Sequence, residues 1–220
     1  MSRLREKPYM TYGLLGIMVI VYVIMTFSGG TENTTTLLTF GAKFNPLIRA
    51  GEYWRLVSPI FIHIGFTHIL MNGITLYFIG QYVEMLFGHW RFLGIFLTSG
   101  IVGNLASFAF SDSLSAGAST AIFGLFGAFM MLGESFSNNQ AIVSMAKTFL
   151  LFIVLNIATD LFVSGIDIAG HIGGLIGGFL VAYVAGVSFG KVTPVKRIVA
   201  LVMLIVVAIA LFIIGMRGNF

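Results

Sequence analysis

Residues 169–178 of the chain read AGHIGGLIGG and repeat glycine at four-residue spacing. The repeated positions are Gly170, Gly174 and Gly178. On a helix this spacing puts the glycines on one face, which lets two helices pack closely inside a membrane. A second apolar segment, residues 119–132, carries small residues of its own at Ala121, Gly124, Gly127 and Ala128. Close packing of the two segments would bring His171, near the start of one, beside Ser119, at the start of the other.

The composition places the chain among integral membrane proteins. Of its 220 residues, 58% are hydrophobic and only 9% are charged, whereas soluble domains carry about 25% charged residues. The chain has no cysteine, which excludes disulfides and thiolate metal sites. Its formal net charge of +4 is modest, and its basic residues lie at the ends of apolar segments. They therefore indicate membrane topology and do not indicate binding of nucleic acid.

The apolar pattern predicts an all-α polytopic membrane protein with seven spans. The predicted spans are Tyr9–Phe27, Thr67–Phe87, Phe92–Phe110, Ser119–Leu132, Ala141–Thr159, Ala169–Phe189 and Ile198–Met216. The predicted regions are a short cytoplasmic N-terminus at 1–8, a six-helix core at 9–189, a cytoplasmic linker at 190–197, and a seventh helix with its tail at 198–220. The first apolar run is longer than the core of a typical signal peptide and has no clear cleavage site, so we expect it to be retained as a span.

The basic residues favour a cytoplasmic N-terminus and an external C-terminus. In that orientation the cytoplasmic basic residues are Arg3, Arg5, Lys7, Arg91, Lys147, Lys191, Lys196 and Arg197. Most of the others lie in a long outer loop, residues 28–66, where the rule is weak. That loop is rich in aromatic residues, so we expect it to lie in the interface and to have structure of its own.

In this topology three spans enter the membrane from the outside, and polar side chains occupy their first turns. They are His68 and Asn72, then Ser119, then His171. A serine needs a base to act as a nucleophile, and a neutral histidine can take its proton. His68 and Asn72 are four residues apart on one helix face, so they could bind an oxyanion together with the Ser119 N–H.

The fourth span affects how deep Ser119 lies. At about 14 residues it would be about 21 Å long, against a hydrocarbon core of about 30 Å. Ser119 would then begin below the outer surface, and the irregular backbone before it must be buried in protein or line a wet cavity. Gly117 suits such a turn.

No carboxylate is obviously placed to orient His171. Asp160 and Asp167 lie in the outer loop before it. The expected arrangement is a Ser–His dyad, unless one of these two aspartates folds back. Each polar residue also has a purely structural explanation, since Ser119 could be a helix N-cap and His68 and Asn72 could hydrogen-bond across helices. Their occurrence together at one depth favours a functional site.

In combination these motifs resemble those of the rhomboid intramembrane serine proteases. The matching motifs, spread over residues 10 to 189, are Trp54-Arg55 in the first loop, His68-x-x-x-Asn72, Gly117-Ala118-Ser119, and the His171-x-x-Gly174 pattern that opens the sixth span. The resemblance implies that Ser119 is the nucleophile and His171 the general base. It also implies an oxyanion hole made by His68, Asn72 and the Ser119 backbone amide.

The resemblance assigns supporting roles as well. Gly117, Phe123 and Gly174 would support the site, while Trp54, Arg55, His63 and Glu84 would be structural. Two positions depart from the family pattern. Thr120 stands where a glycine is common, and Phe123 stands where a tyrosine is common. Neither change removes a catalytic group, so we expect an altered rate or selectivity and retained activity.

The implied function is that of an endopeptidase that cuts transmembrane segments of other membrane proteins. We expect a multi-pass protein of a bacterial cell membrane whose site opens to the outside. Its expected partners are transmembrane protein substrates and membrane lipid, with no cofactor, no metal and no nucleic acid.

Other functions fit the sequence less well. A zinc protease would need His-Glu-x-x-His, but Ile69 follows His68, and an aspartyl protease would need two facing carboxylates in mid-span. A channel would need polar groups along a path, and here they lie at one end of the helices. The remaining alternative is a non-catalytic rhomboid relative that only binds membrane helices, although such proteins lack the serine or the histidine.

Overall fold

The computed structural model describes residues 7–162 and 165–218, and within these ranges its regular secondary structure is helical, apart from one isolated bridge between Lys43 and Ser115. The α-helices are α1 (Tyr9–Phe27), α2 (Thr34–Phe40), α3 (Asn45–Arg49), α4 (Gly65–Phe87), α5 (His89–Phe110), α6 (Ser119–Ser135), α7 (Gln140–Asp160), α8 (Ile168–Ala185) and α9 (Pro194–Arg217). Two short 3-10 helices cover Tyr53–Leu56 and Ser58–Phe61. The predicted all-α fold is confirmed. Arg3 and Arg5, which entered the topology prediction, and the last two residues of the predicted tail lie outside the described residues.

The long helices are those of a multi-pass membrane protein. Among the described residues, α1, α5, α7, α8 and α9 are long and apolar enough to cross a bilayer. Helix α4 has 23 residues but is not among these five. Helix α6 has 17 residues, or about 26 Å. The count of seven spans and their orientation stay predictions.

Several predicted boundaries were wrong. The fourth span was expected to end at Leu132, but α6 continues to Ser135, so its shortfall against the bilayer core is smaller than expected. The sixth was expected to reach Phe189, but α8 ends at Ala185, because the next residue, Gly186, has a φ of 64°. Half of the predicted linker is helical, since α9 begins at Pro194 behind the N-cap Thr193, whose side chain accepts the N–H of Lys196.

The long outer loop has structure of its own, as predicted. Arg55 organises much of it, because its guanidinium donates to the carbonyl of Leu38 at 2.8 Å and to that of Ala42 at 3.1 Å. The same group pairs with Glu52 at 2.7 Å and lies over the ring of Trp54, 4.6 Å from its centroid. Arg55 therefore joins the end of α2 to the first 3-10 helix.

Helix α8 packs against α6 with direct backbone contact. A Cβ added at Gly174 would lie 2.0 Å from the carbonyl oxygen of Thr120, and one at Gly178 would lie 2.0 Å from that of Gly124. No side chain, not even a methyl group, fits at either position. The predicted glycine face is therefore the surface through which α8 contacts α6.

Helix α5 covers another side of α8 in the same way. A Cβ at Gly103 would lie 2.7 Å from the carbonyl oxygen of Gly170. A Cβ at Gly177 would lie 2.8 Å from the Cβ of Val102. Helix α8 is thus held between α5 and α6, and the position of its first turn is set by both.

We predict that Gly178→Ala will lower the thermal stability of the protein in detergent. The new methyl group would meet the Gly124 backbone, which cannot rotate away as a side chain can, so α6 and α8 must separate. The matched control is Gly94→Ala, at an exposed glycine of α5 where an added Cβ meets nothing within 4 Å. There the change should be neutral or stabilising by up to about 1 kcal/mol, since alanine favours helix. Equal melting temperatures for the two variants would contradict the packing described.

Candidate active site

Ser119 and His171 form a hydrogen-bonded pair. Ser119 is the first residue of α6, and His171 lies in the first turn of α8. The Nε2 atom of His171 lies 2.9 Å from the Oγ atom of Ser119, and the histidine is 7% exposed. A proton can pass directly between two atoms at this distance.

The His171 ring is also held from one face by an aromatic side chain. Phe123, one helical turn after Ser119, stacks on the imidazole with ring centroids 4.2 Å apart and planes 12° from parallel. A phenylalanine at this position therefore restricts the ring without a hydroxyl group. Thr120, the other departure from the family pattern, is buried, with its side chain near Gly103 and Gly170. It thus packs toward α5 and α8.

A carboxylate lies at hydrogen-bond distance from the second ring nitrogen of His171. The Oδ2 atom of Asp160 lies 2.7 Å from His171 Nδ1. Asp160 was expected in the outer loop, but α7 extends to include it as its last residue. Asp167 has a different role, because its Oδ1 accepts the N–H of Gly170 at 2.9 Å and caps α8. Asp160 was not among the predicted site residues, although it was one of the two aspartates that the sequence offered to fold back toward His171.

The backbone that leads into Ser119 is held by the outer loop. Gly117 has a φ of 135°, a conformation that favours glycine, and its N–H donates to the carbonyl of Pro59 at 2.8 Å. The next N–H, of Ala118, donates to Nε2 of His63 at 3.2 Å. The irregular turn is thus buried against protein, and its backbone N–H groups find acceptors there.

A second set of contacts holds the segment a few residues before this turn in the chain. Ser115 pairs with Lys43 through both backbone groups, at 2.8 and 3.1 Å. The fully buried Lys43 ammonium donates to the carbonyls of Ser111 and Ser113. Burial lowers the pKa of Lys43 to about 8. Lys43 thereby ties the segment before Ser119 to the segment after α2.

His68 and Asn72 of α4 lie beside this turn. A Cβ on Gly117 would be 2.6 Å from Cε1 of His68 and 3.6 Å from Nδ2 of Asn72. The Asn72 amide donates to the carbonyl of His68 at 3.1 Å. Both side chains therefore line the backbone that precedes Ser119, and only a glycine at 117 leaves room for the His68 ring.

His63 is a buried acceptor. It is 0% exposed, and burial lowers its pKa from 6.5 to about 3. The ring is therefore neutral near pH 7 and can accept the Ala118 N–H. It also meets the ring of His68 edge-on, with centroids 5.3 Å apart. His63 thus supports both the turn before Ser119 and one of the side chains that line it.

Glu84 lies at the other end of α4 and takes no part in this cluster. Its carboxylate accepts the N–H of Met10 at 2.9 Å and that of Thr11 at 2.8 Å, and it also contacts His89. It caps the start of α1 and joins it to α4 and α5. The structural role expected for Glu84 stays a prediction.

Comparison with known proteins identifies the family of the chain. Residues 50–188 match the family model of the rhomboid domain. The chain belongs to the rhomboid family. It is 40% identical over 216 residues to the rhomboid protease GluP of Bacillus subtilis (strain 168), covering 96% of this chain and 41% of GluP.

Relatives from eukaryotes are also similar. The chain is 38% identical over 170 residues to RHOMBOID-like protein 5 of Arabidopsis thaliana, covering 72% of this chain and 53% of that protein. It is 34% identical over 195 residues to Rhomboid-like protease 2 of Toxoplasma gondii, covering 82% and 65%. The chain thus spans less than two thirds of the length of each of these three rhomboid relatives. The family resemblance predicted from the motifs is confirmed.

We predict that His63→Gln will make stability less sensitive to acid. Because the pKa of His63 is about 3 in the folded state and 6.5 ordinarily, the unfolded chain binds a proton that the folded chain does not as pH falls through 6.5. Stability is therefore lost toward acid pH. Glutamine offers an acceptor oxygen and does not titrate. From about pH 7.5 to about pH 4.5, the melting temperature of the wild type in detergent should fall more than that of the variant. Parallel curves would contradict this account.

Proposed function

We propose that the chain is an intramembrane serine endopeptidase that hydrolyses peptide bonds in or near transmembrane segments of other membrane proteins. Membership of the rhomboid family supports the reaction class, and two of the relatives are named as proteases. The observation that carries the assignment of residues is the 2.9 Å hydrogen bond between Ser119 Oγ and His171 Nε2. It joins a nucleophile to a base, as acyl transfer by a serine requires.

In the proposed reaction Ser119 Oγ attacks the carbonyl carbon of the substrate while its proton passes to Nε2 of His171. The electron pair of the carbonyl bond moves to its oxygen. His171 then gives the proton to the leaving amine nitrogen as the C–N bond breaks, which leaves an ester on Ser119. Water repeats the sequence with the same proton transfers, releasing the acid and restoring the serine.

The negative oxygen formed in this step needs donors beside Ser119. We assign this role to the side chains of His68 and Asn72 and to the backbone N–H of Ser119. Their position against Gly117 supports this assignment. The free N–H groups at the start of α6 carry positive partial charge, which also favours an anion there.

The proposed setting is a bacterial cell membrane, with the site opening to the external side. The distribution of lysine and arginine between the two sides supports that orientation. The other candidate function is a relative that binds membrane helices without cutting them. The presence of both Ser119 and His171 at hydrogen-bond distance favours cleavage.

We expect Ser119→Ala and His171→Ala each to abolish cleavage of a transmembrane reporter and labelling by a fluorophosphonate, while the protein still accumulates in membranes. The reason is that the first lacks the nucleophile and the second lacks its base. Ser137→Ala, at an exposed serine between α6 and α7, is the matched control and should react like the wild type. Labelling of Ser119→Ala at the wild-type rate would exclude the mechanism. A wild type that binds helices but is neither labelled nor active would instead favour the binding-only relative.

His68→Ala and Asn72→Ala should each lower kcat by roughly 10²–10³-fold with little change in KM, because an oxyanion donor acts mainly in the transition state. Kinetics of reporter cleavage in detergent or liposomes would measure both constants. Unchanged kcat with a lower melting temperature would show that these side chains only join helices.

A further inference from the structure

The imidazole of His171 is held between two helices other than its own. Its Nε2 faces Ser119 on α6 at 2.9 Å, and its Nδ1 faces the carboxylate of Asp160 on α7 at 2.7 Å. The Asp160 and His171 side chains are only 8% and 9% exposed. The chain therefore places a serine, a histidine and an aspartate in one hydrogen-bonded row.

Building on the proposed function, we propose that Asp160 is a positioning residue that holds His171 in the tautomer and orientation the reaction needs. The expected pair of Ser119 and His171 would thus be a triad. This proposal goes beyond the motifs that carry the family resemblance, none of which includes Asp160.

The contact with Asp160 decides which nitrogen of the His171 ring carries the proton. A carboxylate can only accept, so a neutral imidazole hydrogen-bonded to Asp160 through Nδ1 must carry its proton there. The lone pair then lies on Nε2, which is the atom that faces Ser119 Oγ. Without a partner on Nδ1 the ring could carry its proton on either nitrogen, and in one of the two forms Nε2 could not take the serine proton.

The same contact places a negative charge beside the ring. His171 becomes positive when it takes the Ser119 proton, and this happens in a largely buried place where an unpaired charge is costly. The groups that face it are Ser119 and Phe123 on α6, Asp160 on α7 and His68 on α4. Asp167, at the start of its own helix, accepts the N–H of Gly170. The carboxylate in direct contact with the ring is that of Asp160, so it stabilises the imidazolium.

Asp160 gains and loses no proton in this scheme. The proton moves from Ser119 Oγ to His171 Nε2 and then to the leaving amine, while the Nδ1–H stays on the ring. Asp160 accepts that N–H throughout and remains a carboxylate. A purely structural bond that joins α7 to α8 would show the same geometry, so the test must separate the two roles.

The first measurement compares Asp160→Asn with Asp167→Asn. Asparagine has the same shape as aspartate, but its amide can donate to Nδ1 and so favour a proton on Nε2. Asp160→Asn should lower the rate of fluorophosphonate labelling and the kcat of reporter cleavage by about 10²–10⁴-fold with KM unchanged. At position 167 the asparagine oxygen can still cap α8, so that control should react like the wild type.

The second measurement reads the tautomer without any substrate. In protein labelled with ¹⁵N in its histidine rings, the His171 signals are those absent from His171→Ala. In the wild type near pH 7, Nδ1 should be the protonated nitrogen, and in Asp160→Asn it should be Nε2. A wild type with its proton on Nε2 would overturn the proposal, even if the Asp160 variant failed to fold.

The two proposals fail in different ways. A wild type that reacts, with an Asp160→Asn variant that reacts equally fast, would overturn the role of Asp160 and leave the protease assignment intact. A wild type that neither labels nor cleaves would overturn the protease assignment, while the ring signals would still report the tautomer that Asp160 sets.

Discussion

The backbone contact between α6 and α8 is the constraint on which the site depends. Ser119 and His171 belong to different helices, so the 2.9 Å hydrogen bond between them exists only while those helices touch. Gly174 and Gly178 allow this contact because each faces a carbonyl oxygen of α6 with no room for a methyl group. Even a small side chain there would move the helices apart by more than the hydrogen bond tolerates.

The start of α6 also needs hydrogen-bond acceptors for the backbone that precedes it, and the loop of residues 28–66 supplies them. The backbone N–H groups that precede a buried helix start have no partner within the helix and no water to bond, so they need acceptors from elsewhere in the protein. Pro59 and His63 accept two of them, from Gly117 and Ala118. The long loop is therefore part of the site, since it supplies the acceptors that keep the Ser119 turn in place.

Much of this arrangement could be predicted from residue spacing. Apolar runs predicted the helices, and both ends of α1 were predicted correctly. The glycine spacing predicted the packing face of α8, because a helix face is a property of the local sequence. The ends of α6 and α8 could not be predicted as well, since the end of α8 depends on a positive φ at Gly186 and not on hydrophobicity.

The contacts of Asp160 and His63 could not be predicted from the sequence, for a different reason. Both reach partners on other elements, Asp160 across 11 positions and His63 across 55. No local pattern encodes such a pair. Only the packing of α7 and the outer loop around α6 decides which of two nearby aspartates meets the histidine, and Asp167 is already engaged as the cap of α8.

The proposed role of Asp160 makes the base depend on a helix that buries little of its surface against the rest of the protein. Of the apolar stretch of α7, 17% is buried, compared with 72% for α5. Asp160 is the last residue of α7, so a shift of that end would lengthen the 2.7 Å bond to His171. The ring would then lose the partner that keeps its proton on Nδ1. Ser119 would stay in its turn, because Pro59 and His63 hold that turn independently of α7. The nucleophile is therefore held by contacts from residues 59 and 63, whereas the tautomer of its base depends on where the end of α7 lies.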